Sequence, residues 1–212
     1  MGLFCLVGIR VGITTHDGRM HVKEAGVGHA LESISAELDR VIAGIIRDDS
    51  PALTRVADLI AEAPRVFVLG AGRSGLALRM TAMRLMHLGL TVHVVGDVTT
   101  PAISAGDLLL TASGSGTTAG VVRAARTASA VGACVAAITT DPHSALGQVA
   151  GPATVVVSAA DKLDRSESAS TQYAGSLFEQ AVVIIGDALF HALWRQSGSH
   201  ADDLWPRHSN LE

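Results

Sequence analysis

Hydroxyl and glycine residues are interleaved at one point of the chain, Ser113-Gly-Ser-Gly-Thr-Thr118. Ser113, Ser115, Thr117 and Thr118 offer side-chain donors, and the bare glycines between them leave backbone N–H groups open. Such a loop suits an anion of the phosphoryl type. A second loop, Gly70-Ala-Gly-Arg-Ser-Gly75, adds Gly72, the cation Arg73 and the hydroxyl of Ser74. Each loop follows a short apolar run, Val66 to Leu69 or Asp107 to Ala112. Each precedes a helix-forming stretch, Leu76 to His87 or Ala119 to Val131. The pattern is strand, glycine loop, helix, twice. A helix N-terminus presents free N–H groups and a dipole that favours negative charge. Two such loops at the carboxyl ends of two strands point to one shared anionic ligand.

The spacing Gly70, Gly72, Gly75 also matches the G-x-G-x-x-G dinucleotide fingerprint. Asp97 lies about 20 residues on, where a ribose-binding acid is expected. Against that reading stand Arg73-Ser74 inside the turn, the second cradle, and a length short for a cofactor domain plus a substrate domain.

These loops need a scaffold. The chain has 212 residues, enough for one large domain and a sizeable core. Hydrophobic residues make up 48% but aromatics only 3%, which suits a parallel sheet covered by helices. Mean hydropathy is positive, in keeping with apolar surface buried between subunits or with a large core. The net charge of −4 comes with no Lys/Arg cluster, which disfavours nucleic-acid and anionic-membrane partners. Of two cysteines, Cys134 falls in an apolar run and is expected to be a buried core thiol; a reducing cytoplasm is the default compartment. The nine histidines show no metal-ligand spacing with the cysteines, so no metal is expected. Residues 1–19 read as an extension ahead of a natural start at Met20, and not as a signal peptide or a membrane span.

Along the chain, Val27, Leu31, Ile34, Leu38, Val41 and Ile45 alternate steps of four and three. That stripe predicts a long helix packed on the sheet or on a partner subunit. Pro51 starts a second helix, Ala52 to Ala63. Strands are expected at Val66 to Leu69, Thr91 to Val95, Leu108 to Thr111, Cys134 to Thr139 and Thr154 to Ser158, with Asp141 to Ser144 as a turn and helix start. Intervening helices predict parallel pairing with right-handed crossovers. Apolar positions in the helix after the first strand are Leu76, Met80, Met83 and Met86. Ala159 to Ser170 reads as a loop. Gln172 to Arg195 reads as a last helix, apolar nearly all round, with Glu179 and Asp187 its only acids.

Four stretches together resemble the sugar isomerase (SIS) domain family: Gly70 to Gly75, Met83 to Gly89, Ser113 to Thr118 and Gln172 to Gln180. Within it they resemble the 6-phospho-3-hexuloisomerase branch, as does the closing Arg207 to Glu212; the resemblance covers about Met20 to Glu212. It implies a three-layer α/β/α sandwich with a five-stranded parallel sheet of flavodoxin-like type. It implies a reversible conversion of D-arabino-3-hexulose 6-phosphate to D-fructose 6-phosphate, with no cofactor. It also implies a cytoplasmic homo-oligomer, a tetramer or a dimer. The phosphate cradle falls on Ser74, Ser113, Ser115 and Thr118, beside Gly72, Arg73 and Thr117. Thr117 stands where many members carry Glu, and Asp161 to Thr171 lacks histidines associated with some hexuloisomerases.

The implied reaction moves a carbonyl between adjacent carbons through an enediol. The resemblance places the base on Glu179, and an apolar helix would raise a carboxylate's pKa toward the range such a base needs. Its other reading is an interface ion pair. His208, reaching across from a neighbouring subunit, is expected to shuttle the proton between oxygens; His87 is the alternative, on a face that reads as core. Arg73 either meets the phosphate or pairs with an acid across a subunit interface. Two further functions stay open: isomerisation of another phosphosugar such as arabinose 5-phosphate, and non-catalytic sensing of a sugar phosphate. Sensors of this kind carry a DNA-binding domain, and no helix-turn-helix with a basic recognition helix precedes Pro64.

Overall fold

The structure is a computed structural model that describes residues 26–159 and 170–211. The expected extension, Met20, Cys5 and most of the expected loop after Ala159 lie outside the described residues.

The five expected strands all form: β1 (Val66–Gly70), β2 (Val92–Val94), β3 (Leu108–Ala112), β4 (Cys134–Thr139) and β5 (Thr154–Val156). They pair in parallel in the order β2-β1-β3-β4-β5, with Val66 opposite both Val92 and Leu108. The chain order reverses between β1 and β3. In open parallel sheets a crevice opens at the carboxyl ends of the strands where the order reverses, and ligands bind there.

Alternate residues of the strands serve two apolar layers. Val66, Val68, Leu108, Leu110 and Ile138 pack against α1 (Val27–Asp48), α2 (Ser50–Glu62), α3 (Gly72–His87) and α6 (Ser176–Ser197). Phe67, Leu109, Val135 and Ala137 pack against α4 (Ala119–Ala130) and α5 (Ala145–Ala150). This is the expected three-layer sandwich. Arg65 and Asp107 form a two-point ion pair that ties the amino ends of β1 and β3, and the buried Asp107 carboxylate also accepts the Ser104 N–H.

Four expectations are corrected. Cys134 is exposed, because it is the first residue of β4 and lies at the uncovered amino end of the strand. The Leu76, Met80, Met83 and Met86 stripe faces away from the sheet; α3 buries Ala77, Leu78, Thr81, Ala82 and Leu85 instead. The α1 stripe is divided: Val41 and Ile45 join the core, while Val27 and Leu31 are 75% and 63% exposed. The last helix begins at Ser176 and not at Gln172, because Ala174 (φ 45°) and Gly175 (φ 80°) are both left-handed and cannot continue a right-handed helix. By length and composition α6 passes for a membrane span, yet Leu177, Phe178, Val182, Ile185 and Leu189 are buried in the core of this fold.

Candidate active site

Three helices begin around the crevice between β1 and β3. The amino ends of α3, α4 and α6, at Ala71, Thr118 and Gly175, carry no side-chain cap. Their first N–H groups are therefore free to meet an anion. A cleft of about 200 Å³ lies between them, lined by Gly72, Arg73 and Ser74 from α3, Ser113 to Ser115 and Thr118 after β3, Ala174 from the turn before α6, and Phe178 and Glu179 from α6.

The glycines of the first loop have separate tasks. Gly70 and Gly75 lie against each other: a Cβ on Gly75 would stand 2.4 Å from the Gly70 carbonyl oxygen. Their contact is what packs α3 close onto β1. Gly72 (φ 57°) is left-handed and has open space beside it, which leaves its backbone free toward the cleft. The same spacing serves dinucleotide sites for the same steric reasons. Here the acid expected to hold a ribose, Asp97, is engaged with Arg79 at 2.8 Å.

The second loop is held by its carbonyl at Gly114, which accepts from the Thr139 and Thr140 hydroxyls at 3.0 and 2.9 Å and from the Thr140 N–H. Ser113 Oγ and Thr118 Oγ1 share a hydrogen bond of 3.0 Å, so one of the two hydroxyls keeps a free proton. Thr117 does not line the cleft. Its hydroxyl donates to Ser115 Oγ at 3.0 Å, and it lines an outer groove that Arg123 and Arg126 also line. Ser115 accepts from Thr117 and so has its own proton to give to a ligand.

Glu179 faces the cradle from the first turn of α6. Arg73 Nε stands 2.5 Å from its Oε2, which is buried and, among the described residues, is met by that ion pair and by no aligned hydrogen bond. Arg73 thus meets an acid of its own chain and not one across an interface, and it also lines the cleft. The carboxylate is thus not isolated in apolar surroundings, as its helix composition implied. A carboxylate that lines a cleft between two anion-binding loops is placed to take a proton from a bound ligand.

His208 is not brought to this cleft within the chain. It stacks on His87 at 3.9 Å, at the carboxyl end of α3, and touches Trp205. Ser74 lies thirteen residues earlier on the same helix, roughly 20 Å away at 1.5 Å per residue. His87 is buried as expected but its Nδ1 has no partner among the described residues; burial, then the neighbouring His208 and Arg84, hold its pKa below the ordinary histidine value. Among the described residues no three His, Cys, Asp or Glu side chains are grouped to hold a metal ion.

Sequence reasoning missed Glu37. It lies in α1 beside the apolar stripe, buried to 4% exposure. It accepts from Ser170 Oγ, Thr171 N–H, Thr171 Oγ1 and Gln172 Nε2 at 2.8 to 2.9 Å. The signal available was an acid adjoining an apolar seam, which alone does not say what satisfies it. Burial would raise its pKa, but the four donors outweigh that and hold it at about 2, against an ordinary 4.5. A carboxyl held this low stabilises the fold wherever it is ionised. The stabilisation, roughly 3 kcal/mol, is complete above the unfolded value and lost as pH falls toward the folded one. Urea titrations should show stability dropping between about pH 5 and pH 2, and Glu37→Gln should flatten that part of the profile.

Residues 59–172 match the SIS domain family. The chain belongs to that family, and its fold is the α/β sandwich described above. It is 54% identical over 180 residues to the 3-hexulose-6-phosphate isomerase of Mycobacterium gastri, covering 85% of this chain and 90% of that one. It is 36% identical over 160 residues to the 3-hexulose-6-phosphate isomerase of Bacillus subtilis, covering 74% and 85%. Among solved structures, a Methanococcus jannaschii protein superposes with a TM-score of 0.70 at 29% identity, covering 86% of this chain and 99% of that one. That crystal structure was taken to infer a molecular function of 3-hexulose-6-phosphate isomerase.

Proposed function

We propose that this protein is a 6-phospho-3-hexuloisomerase, interconverting D-arabino-3-hexulose 6-phosphate and D-fructose 6-phosphate. The observation that carries this is an uncapped hydroxyl-lined cradle facing the Glu179 carboxylate, in a chain 54% identical to the Mycobacterium gastri isomerase. The phosphate is held by Ser113, Ser115 and Thr118 and by N–H groups of Gly72, Arg73 and Ser74, while Thr117 orients Ser115. Glu179 removes the proton on C2 of the 3-hexulose, giving the 2,3-enediol, and returns it to C3. A second proton passes from the C2 oxygen to the C3 oxygen, leaving the ketone at C2. Arg73 holds the carboxylate in place before substrate arrives.

His208 enters this reading only by reaching the cleft of a neighbouring chain. A homo-oligomer, tetramer or dimer, is supported by the outward apolar residues Leu76, Met80 and Met83 on α3 and Val27 and Leu31 on α1, an exposed face of the kind that marks interfaces. Light scattering at micromolar concentration should give a mass of two or four chains; a stable monomer removes both the assembly and the His208 role. The free thiol of Cys134 fits a reducing cytoplasm.

The test is incubation with fructose 6-phosphate followed by NMR. Appearance of the 3-hexulose 6-phosphate is the expected result; an unchanged spectrum overturns the assignment. Ser115→Ala tests the cradle. A hydrogen bond to a charged group contributes about 1.5–3 kcal/mol. KM should therefore rise roughly 10- to 150-fold. Calorimetry showing wild-type affinity for fructose 6-phosphate would take Ser115 out of the site.

A further inference from the structure

Glu179 reaches the cleft by an irregular route. The chain arrives from Ser170, makes no helix until Ser176, and turns through two left-handed residues, Ala174 and Gly175. Ala174 is the only non-glycine with positive φ among the described residues, and it lines the cleft. Such a conformation persists only where neighbouring contacts over-determine it. Across the turn the Ser176 N–H and hydroxyl donate to the Tyr173 carbonyl, and the segment that leads into it, Ser170 to Gln172, is held from α1, more than 130 residues earlier. Both carboxylate oxygens of Glu37 are filled, Oε1 by the Thr171 N–H and hydroxyl and Oε2 by the Ser170 hydroxyl and the Gln172 amide. The hold is passed inward: Gln172 Oε1 accepts from Gln180 Nε2 at 2.9 Å, and Gln180 adjoins Glu179.

We infer that Glu37 is a positioning residue for the isomerase site: through Ser170, Thr171 and Gln172 it fixes the turn that sets Glu179 against the cradle. This inference rests on the proposed isomerase function for its kinetic arm. Neither Glu37 nor Gln172 lines the cleft, so neither touches substrate. The phosphate loops, carried by β1 and β3, do not depend on it.

The experiment compares wild type, Glu37→Gln and Gln172→Ala by amide hydrogen exchange and by steady-state kinetics with fructose 6-phosphate. Glu37→Gln should speed exchange over residues 171–180 and leave residues 112–118 unchanged. Its kcat should fall ~10- to 100-fold, since a displacement of about 1 Å costs up to ~10²-fold. KM should change little, because the cradle is intact. Gln172→Ala keeps Glu37 charged with three of its four donors and should lose less in the same direction. The double variant should be non-additive, as expected of one network. A purely structural role predicts a lower melting temperature with wild-type kcat per folded molecule, and that result overturns the inference, as does wild-type exchange over 171–180. Should Glu37→Gln not fold, Gln172→Ala carries both readouts. Should wild type itself not interconvert the sugars, the isomerase reading fails, and the exchange pattern alone decides whether Glu37 sets the turn.

Discussion

Glu179→Gln should lower turnover by at least ~10²- to 10⁴-fold, the usual contribution of a positioned base. The substitution keeps the side chain's size and removes its ability to take a proton. Folding should survive. The ion pair lost with Arg73 involves a guanidinium side chain that is 63% exposed, and exposed pairs contribute little. Binding of fructose 6-phosphate should also survive, because Ser113, Ser115 and Thr118 stand on the β3 loop. The decisive measurement is exchange of carbon-bound hydrogen in deuterated solvent. If Glu179 moves the proton between C2 and C3, the variant stops that exchange together with turnover. A variant at His208 would slow turnover yet retain exchange at carbon, because oxygen-to-oxygen transfer follows proton removal. Near-normal turnover and exchange in Glu179→Gln would make the carboxylate structural, a partner of Arg73 and no more.

Gly75→Ala should be the most damaging single methyl group added to the first loop. The new Cβ would stand 2.4 Å from the Gly70 carbonyl oxygen and 3.0 Å from its carbon. The obstacle is backbone at the end of β1, not the tip of a flexible side chain, so strand and helix must part. Overpacking of this kind costs roughly 3 kcal/mol. For a domain of this size that lowers the melting temperature by about 6–12 °C. The displaced element is the first turn of α3, so affinity for fructose 6-phosphate should fall with stability. Gly72→Ala is the comparison: its methyl meets no atom, and only the left-handed backbone opposes it, at about 1–2 kcal/mol. Calorimetric melting that leaves Gly75→Ala as stable as wild type would mean that the strand–helix contact relaxes freely.

Local sequence determined much of this protein. Short apolar runs ahead of glycine-rich loops marked β1 and β3, and β4 was bounded to the residue, because a buried parallel strand needs apolar side chains on both faces. Hydroxyls among glycines after two strands located the anion cradle, since loop chemistry of that kind is carried by adjacent residues. Direction and partnership were decided only by the tertiary structure. The Leu76–Met83 stripe and the Ala77–Leu85 stripe are both helical in period, and which one meets the sheet depends on how α3 lies against α6. Ser115 and Thr117 look alike in sequence, yet one faces the cleft and the other stands behind it. Arg73 with Glu179, and Glu37 with Ser170 to Gln172, join residues more than a hundred positions apart. Such pairs leave no periodicity in the chain, because only the folding of α1, α3 and α6 onto one face of the sheet brings the partners together.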